Sequence, residues 1–149
     1  MCEGFAQRYR VLVADDDDGC RDSMTSLLNG EGFETFSVTG GWPVLERVVQ
    51  LGKTVEAGRT QSGGPAMAGG PAIDFLVLDL NMPDLSGLEV LRRMRGVLHL
   101  FLPSILVTGE FSLELERSVR EVGGFALVSK PVEPLHFREL VWELVENEL

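Results

Sequence analysis

The sequence predicts an α/β fold: a doubly wound, five-stranded parallel sheet with five helices packed on its two faces. Short apolar runs along the chain are continuous rather than alternating, which is typical of strands covered on both faces. Segments with helical spacing separate these runs, and such alternation gives an open sheet with right-handed crossovers. The length of 149 residues fits one domain, so we treat residues 1–149 as a single unit.

Five runs predict the strands. Four of them are continuously apolar and predict buried strands at residues 11–14, 75–78, 105–107 and 125–128. The fifth run, residues 33–38, alternates between apolar and polar side chains, which indicates a more exposed strand near the sheet edge.

Five segments between and after these strands predict the helices. Apolar residues recur at spacings of three and four in residues 20–28, 88–94, 115–122 and 137–145. A further helix is predicted at residues 44–51, opened by Pro43, because the first helical turn tolerates proline. Residues 52–72 hold six glycines and two prolines with no apolar period, which predicts a flexible loop.

Charge and apolar content exclude several classes of protein. The chain has 13 Lys and Arg against 23 Asp and Glu, a formal charge of −10, which argues against direct binding to nucleic acid. The most apolar stretch falls short of the ~18 residues of a membrane-span candidate, and no signal-peptide hydrophobic region is present. Cys2 and Cys20 form no metal-binding pattern. We therefore expect a cytoplasmic protein with free thiols and no membrane or nucleic-acid partner.

Polar residues follow four of the predicted strands. Asp15 to Asp18 follow the first strand, while Asp79, Thr108 and Lys130 stand at the ends of the third, fourth and fifth. In open α/β sheets, ligands bind at the carboxyl ends of the strands, beside the point where strand order reverses. If the order is 2-1-3-4-5, Asp15, Asp16 and Asp79 face a common crevice.

Crowded carboxylates at this edge would call for a cation. Like charges raise one another's pKa unless a cation intervenes, and oxygen ligands with room for water suit Mg²⁺. Lys130, one of only two lysines, could partner an aspartate or a phosphoryl oxygen there, and Thr108 adds a hydroxyl donor. Asp17 and Asp18 are more simply explained as caps of the following helix.

Four motifs together carry a resemblance to a known family. The stretches Leu12-Val-Ala-Asp-Asp16, Leu78-Asp-Leu-Asn-Met-Pro-Asp-Leu-Ser-Gly87, Ile105-Leu-Val-Thr-Gly109 and Ser129-Lys-Pro131 resemble the response-regulator receiver domain of two-component signalling. The resemblance covers nearly the whole chain and implies the flavodoxin-like strand order 2-1-3-4-5. Because the chain ends at Leu149 with no output module, we expect a stand-alone, chemotaxis-type receiver.

The resemblance implies a phosphoacceptor function. Asp79 would accept a phosphoryl group from a phosphohistidine of a sensor histidine kinase or phosphotransfer protein. Asp16 and Asp79 would bind Mg²⁺ directly with the backbone carbonyl of Asn81, and Asp15 would act largely through water. Thr108 and Lys130 would hold the phosphoryl oxygens, and the protein would change its binding surface for a downstream protein target without being an enzyme toward other substrates.

One departure and two alternatives accompany this interpretation. Where the family usually has Tyr or Phe, three residues before Lys130, this chain has Leu127, which puts an aromatic readout in doubt. The segment Asp16-Asp17-Asp18-Gly19 resembles the start of haloacid-dehalogenase-type phosphohydrolases, which would make Asp16 the nucleophile, but the further acidic pair of that class is not found. The other alternative is a degenerate receiver that serves as a constitutive interaction scaffold.

Overall fold

A computed structural model describes residues 8–49 and 72–149. The predicted loop at residues 52–72 lies outside the described residues except for Ala72, as does the end of the helix predicted at 44–51. Ten elements alternate along the described chain: β1 (Arg10–Ala14), α1 (Asp18–Gly30), β2 (Glu34–Val38), α2 (41–49), β3 (Phe75–Asp79), α3 (Gly87–Gly96), β4 (Ser104–Thr108), α4 (Leu113–Glu121), β5 (Ala126–Ser129) and α5 (Pro134–Glu148).

The five strands form one parallel sheet in the order β2-β1-β3-β4-β5. This confirms the predicted fold class and strand order, and it places the alternating strand β2 at an edge. In the register between β1 and β3, Ala14 lies opposite Leu78. The residues that come next, Asp15 and Asp79, therefore leave the sheet side by side.

Two apolar clusters, one on each face of the sheet, form the core. Successive strand residues point to opposite faces, so Leu12 contributes to the cluster beneath α2, α3 and α4 while Val11 and Val13 pack against α1 and α5. Both faces are covered, which explains why the central strands carry uninterrupted apolar runs. Within the described residues, no helix is long and apolar enough to cross a membrane.

Helix α2 starts earlier than the sequence predicts. It begins at residue 41, so that Pro43 lies inside the first turn, where its missing N–H is not needed by the helix. The first two amides of this helix, those of Gly41 and Trp42, donate to the carboxylate of Asp84, which lies more than forty residues away. No local pattern in the sequence predicts this start, because the capping group comes from a remote loop.

Candidate functional site

Three aspartates converge where β1 and β3 end. Asp15 and Asp16 directly follow β1, and Asp79 is the last residue of β3. One ligand oxygen from each of the three lies within 4.8 Å of the others. Asp15 and Asp79 are buried, whereas Asp16 is exposed at the mouth of the crevice. The structure thus brings together the three acids that the strand-order argument placed at this edge.

The ammonium group of Lys130 lies between two of these acids. Lys130 follows β5, and its Nζ is 3.2 Å from Asp15 Oδ2 and 3.3 Å from Asp79 Oδ2. Burial would lower the pKa of Lys130, but the two carboxylates outweigh it and raise that pKa above its ordinary value. Lys130 therefore stays positively charged between these two buried carboxylates.

The carboxyl group of Asp79 is costly to ionise in this site. Its pKa is raised from 3.8 to about 6, chiefly by burial and also by the negative charge of Asp15. The amide of Asn81, which donates to Asp79 Oδ1 at 3.2 Å, and the charge of Lys130 act in the opposite direction. One lysine does not balance the charge of the three acids, so a further cation in the crevice would be stabilised.

The residues present fit a magnesium ion. Asp15 Oδ2 is buried, and no hydrogen bond to it is found among the described residues; its contact with Lys130 is an ion pair without hydrogen-bond alignment. The potential ligands in the crevice are all oxygens, two buried and one open to solvent, which suits a hard divalent cation that retains water. Asn81, the fourth predicted ligand, is exposed beside them.

Thr108, the last residue of β4, presents its hydroxyl to the same crevice. The side chain is buried, and its Oγ1 accepts hydrogen bonds from the Glu110 amide at 3.1 Å and from Asn81 Nδ2 at 3.4 Å. A hydroxyl oxygen has two lone pairs and one proton. Both lone pairs have donors, and no acceptor for the Thr108 proton is found among the described residues, so this proton could be donated to an incoming oxygen.

The loop between β3 and α3 contains Asp84, an acid whose contacts the sequence does not predict. Asp84 accepts hydrogen bonds from the amides of Gly41 at 3.1 Å, Trp42 at 3.0 Å and Leu85 at 2.8 Å. Although partial desolvation opposes them, these amides lower the pKa of Asp84 below its ordinary value. The pair Gly40-Gly41 is the only feature of the sequence that indicates a close backbone contact here. The sequence does not show that the contact is with the loop that contains Asp84.

Of the two acids expected to cap helix α1, Asp17 does so, whereas Asp18 is the first residue of the helix. Asp17 is the N-cap and accepts from the Cys20 amide at 2.8 Å, while Asp18, which is 82% exposed, pairs with Arg21 at 2.6 Å. Cys20 carries a free thiol whose pKa is raised to about 12, chiefly by burial and then by Asp15. This thiol stays protonated at neutral pH and is a poor nucleophile.

Comparison with known protein families identifies the family to which this chain belongs. The family model described as the response regulator receiver domain matches residues 11–141, a span that includes all four strand ends of the site. This chain belongs to the receiver-domain family. The resemblance seen in the sequence motifs is thereby confirmed.

Several curated proteins align with this receiver over most of its length. Sporulation initiation phosphotransferase F of Bacillus subtilis is 24% identical over 132 residues, covering 89% of this chain and 90% of that protein. The cell cycle transcriptional regulator CtrA of Caulobacter vibrioides is 30% identical, and the match covers 89% of this chain. The transcriptional regulatory protein CreB of Escherichia coli is also 30% identical, over 86% of this chain. The receiver spans about half of CtrA and CreB, 47% of each.

Solved structures share the fold of this receiver. A CheY-like receiver domain protein from Methanospirillum hungatei superimposes with a TM-score of 0.72 at 24% identity, covering 94% of this chain and 95% of that one. The receiver domain of the Francisella response regulator 1452 gives a TM-score of 0.75 at 20% identity, covering 95% of this chain and all of that one. Membership of this family does not favour the phosphohydrolase alternative based on Asp16.

Proposed function

We propose that this receiver is a regulatory phosphoacceptor that takes a phosphoryl group onto Asp79 from a phosphohistidine. The observation that carries the proposal is the placement of Asp79 at the carboxyl end of a central strand, beside an ammonium group and two further carboxylates. The donor would be a sensor histidine kinase or a phosphotransfer protein, and similarity to a sporulation phosphotransferase supports such a relay. The net charge of −10 favours a protein as the downstream target over nucleic acid.

The transfer reaction requires positioning and charge neutralisation more than covalent chemistry from the protein. A carboxylate oxygen of Asp79 forms the new bond to phosphorus as the bond from phosphorus to the histidine nitrogen breaks. Asp16, Asp79 and the carbonyl of Asn81 would hold Mg²⁺, with Asp15 acting through water. The bound ion would supply positive charge to offset the negative charge of the phosphoryl oxygens.

Lys130 and Thr108 are suited to hold the transferred group. Lys130 already lies 3.3 Å from Asp79, and the hydroxyl of Thr108 could donate its proton to a phosphoryl oxygen. Phosphorylation adds about −1.5 to −2 charge to the crevice, which would draw both side chains toward it. This local attraction is the event that changes the binding surface.

The change would reach the surface through the segment after β4. Leu127, at the position where the family usually has an aromatic ring, is packed in the core and is only 6% exposed. The Glu110 amide, in contrast, is bonded to the Thr108 hydroxyl, so a shift of Thr108 would pull residues 109–112 with it. Phe111, which is 43% exposed in this segment, would then move at the protein surface.

Phosphorylation by a small phosphodonor tests the proposal. The full chain is incubated with Mg²⁺ and acetyl phosphate, and the acid-labile phosphate is mapped in wild type, Asp79→Asn and Asp16→Asn. We expect one phosphoryl group on Asp79, its absence in Asp79→Asn and weak labelling in Asp16→Asn, which lacks a metal ligand. Repeating the reaction with a phosphorylated histidine kinase in place of acetyl phosphate tests the donor class.

Asp18→Asn is the matched control, because Asp18 is an exposed acid of the same run that points away from the crevice contacts. It should be labelled like the wild type. Label retained in Asp79→Asn but lost in both Asp16→Asn and Asp18→Asn would instead support the hydrolase. No label on any variant would support a constitutive scaffold.

A further inference from the structure

The carboxylate of Asp84 ties the loop that follows Asp79 to the start of helix α2. Its Oδ1 accepts from the Gly41 amide at 3.1 Å and its Oδ2 from the Trp42 amide at 3.0 Å. These are charge-assisted bonds to the positive end of a helix, and they join two segments that do not share a strand pair. We call this pair of contacts the Asp84 clamp.

The clamp depends on close backbone packing that two glycines allow. A Cβ atom added at Gly40 would lie 2.6 Å from Asp84 Oδ2, and one added at Gly41 would lie 2.6 Å from the carbonyl oxygen of Leu85. Neither distance is compatible with a side chain. The corner before α2 therefore packs directly against the Asp84 carboxylate at Gly40 and against the loop backbone at Gly41.

The same loop is closed at its base, next to the proposed metal site. The Gly87 amide donates to the Leu80 carbonyl at 3.1 Å, and a Cβ atom at Gly87 would lie 2.7 Å from the Asp79 carbonyl oxygen. Asn81 lies between the closed base and the clamped apex, with its amide donating to Asp79 Oδ1. This bond fixes the Leu80–Asn81 peptide, and the Asn81 carbonyl belongs to the next peptide, on the side of the clamped apex.

We propose that Asp84 is a positioning residue for the magnesium site: by holding the apex of this loop against α2, it keeps the Asn81 carbonyl directed at the ion. The inference rests on the proposed function, because it needs Asn81 as a ligand through its backbone. Binding linkage is reciprocal, so an ion held by Asn81 also tightens the clamp and protects the Gly41 and Trp42 amides from exchange.

Magnesium affinity is the first measurement. The full chain is titrated with MgCl₂ while its backbone amides are followed by two-dimensional NMR, for wild type, Asp84→Ala and Asp84→Asn. Groups that directly orient a metal ligand contribute about 10–100-fold to metal affinity. Asp84 acts on Asn81 only through the loop between them, so we expect a smaller effect, a rise of roughly threefold to tenfold in the magnesium Kd for Asp84→Ala. Asp84→Asn keeps one carbonyl acceptor, so its Kd should fall between those of Asp84→Ala and wild type.

Glu133→Ala is the matched control. Glu133 is an acid that caps α5 by accepting from two backbone amides, those of Leu135 and His136, and it is not part of the loop after β3. Its removal should lower the free energy of unfolding to a comparable extent and leave the magnesium Kd within twofold of wild type. A general loss of stability is thereby separated from a loss of positioning.

Amide exchange gives the second measurement, one that a merely structural role would not move. Mg²⁺ should slow exchange of the Gly41 and Trp42 amides in wild type and in Glu133→Ala, but not in Asp84→Ala. If Asp84→Ala does not fold, the same comparison is made with Asp84→Asn. An unchanged Kd in the folded Asp84 variant, with wild-type binding intact, overturns this inference alone. Absence of magnesium binding by the wild type overturns both this inference and the metal-dependent function.

Discussion

Removing the charge of Asp79 should stabilise the metal-free protein. Burial raises the pKa of this carboxyl group from 3.8 to about 6, so the ionised form is penalised in the folded state. A shift of about two units corresponds to about 3 kcal/mol at most. Asparagine keeps an acceptor for the Asn81 amide and leaves Lys130 paired with Asp15, so we expect Asp79→Asn to raise the free energy of unfolding by about 1–3 kcal/mol at pH 8.

The sign of the pH dependence follows from proton binding. Between the unfolded pKa of 3.8 and the folded pKa of about 6, the folded protein retains a proton on Asp79 that the unfolded chain has lost. Stability attributable to this group therefore falls as the pH rises through that window, and the full penalty is present above pH 6. The advantage of Asp79→Asn should be largest at pH 8 and disappear near pH 4.

Urea unfolding in EDTA, followed by circular dichroism at pH 4, 6 and 8, measures this difference. Asp74→Asn is the control: Asp74 precedes β3 at the opposite end of the strand and accepts from the Arg10 amide at 2.7 Å, so its neutralisation should give no stabilisation. Adding Mg²⁺ should stabilise the wild type more than Asp79→Asn. A variant that is less stable than wild type at pH 8, or an advantage that does not change with pH, would refute the reasoning.

Three further substitutions probe contacts around the fold and the site. Gly123 has φ +91°, and a Cβ atom there would collide with the Arg95 guanidinium. Gly123→Ala should therefore lower the free energy of unfolding by about 1–3 kcal/mol in urea titrations. A change smaller than the experimental error of the titration would contradict this. Asp17→Ala removes the N-cap of α1 and should cost about 1 kcal/mol, measured in the same way, with increased amide exchange at Cys20. Lys130→Met leaves two buried carboxylates without their cation and should lower the free energy of unfolding by about 2–4 kcal/mol at pH 8 and by less at pH 4. Equal losses at the two pH values would argue against an electrostatic cause.

The sheet could be predicted because burial on both faces leaves a signal within each strand. Val11 and Leu12 point to opposite faces, yet both must be apolar because helices cover both. The strand ends then located the site, since the rule for parallel sheets does not require knowledge of any side-chain contact. This rule requires that β1 and β3 be neighbours in the sheet. The structure shows that they are, with Ala14 opposite Leu78.

Contacts between distant segments could not be predicted in the same way. In the Asp84 clamp, Asp84 is separated along the chain from its two partners, Trp42 and Gly41, by 42 and 43 positions. In the sequence, Asp84 is simply an acid near a proline. For the same reason the sequence predicts a start of α2 at Pro43, whereas the helix begins at residue 41. The partners of the Thr108 hydroxyl likewise depend on how two loops meet, which no local pattern records.

The burial that makes Asp79 expensive to ionise also makes it sensitive to its partners. In an exposed site, water would screen the attraction between the carboxylate, Lys130 and a bound cation, and each would contribute little. In this crevice the negative charge is poorly solvated, so a cation that neutralised it would affect folding stability and the proposed reactivity of Asp79 together. A substitution that exposes Asp79 to water should therefore lower its pKa, weaken the response of stability to Mg²⁺ and reduce the movement of Thr108 that we propose, three changes that share one physical cause.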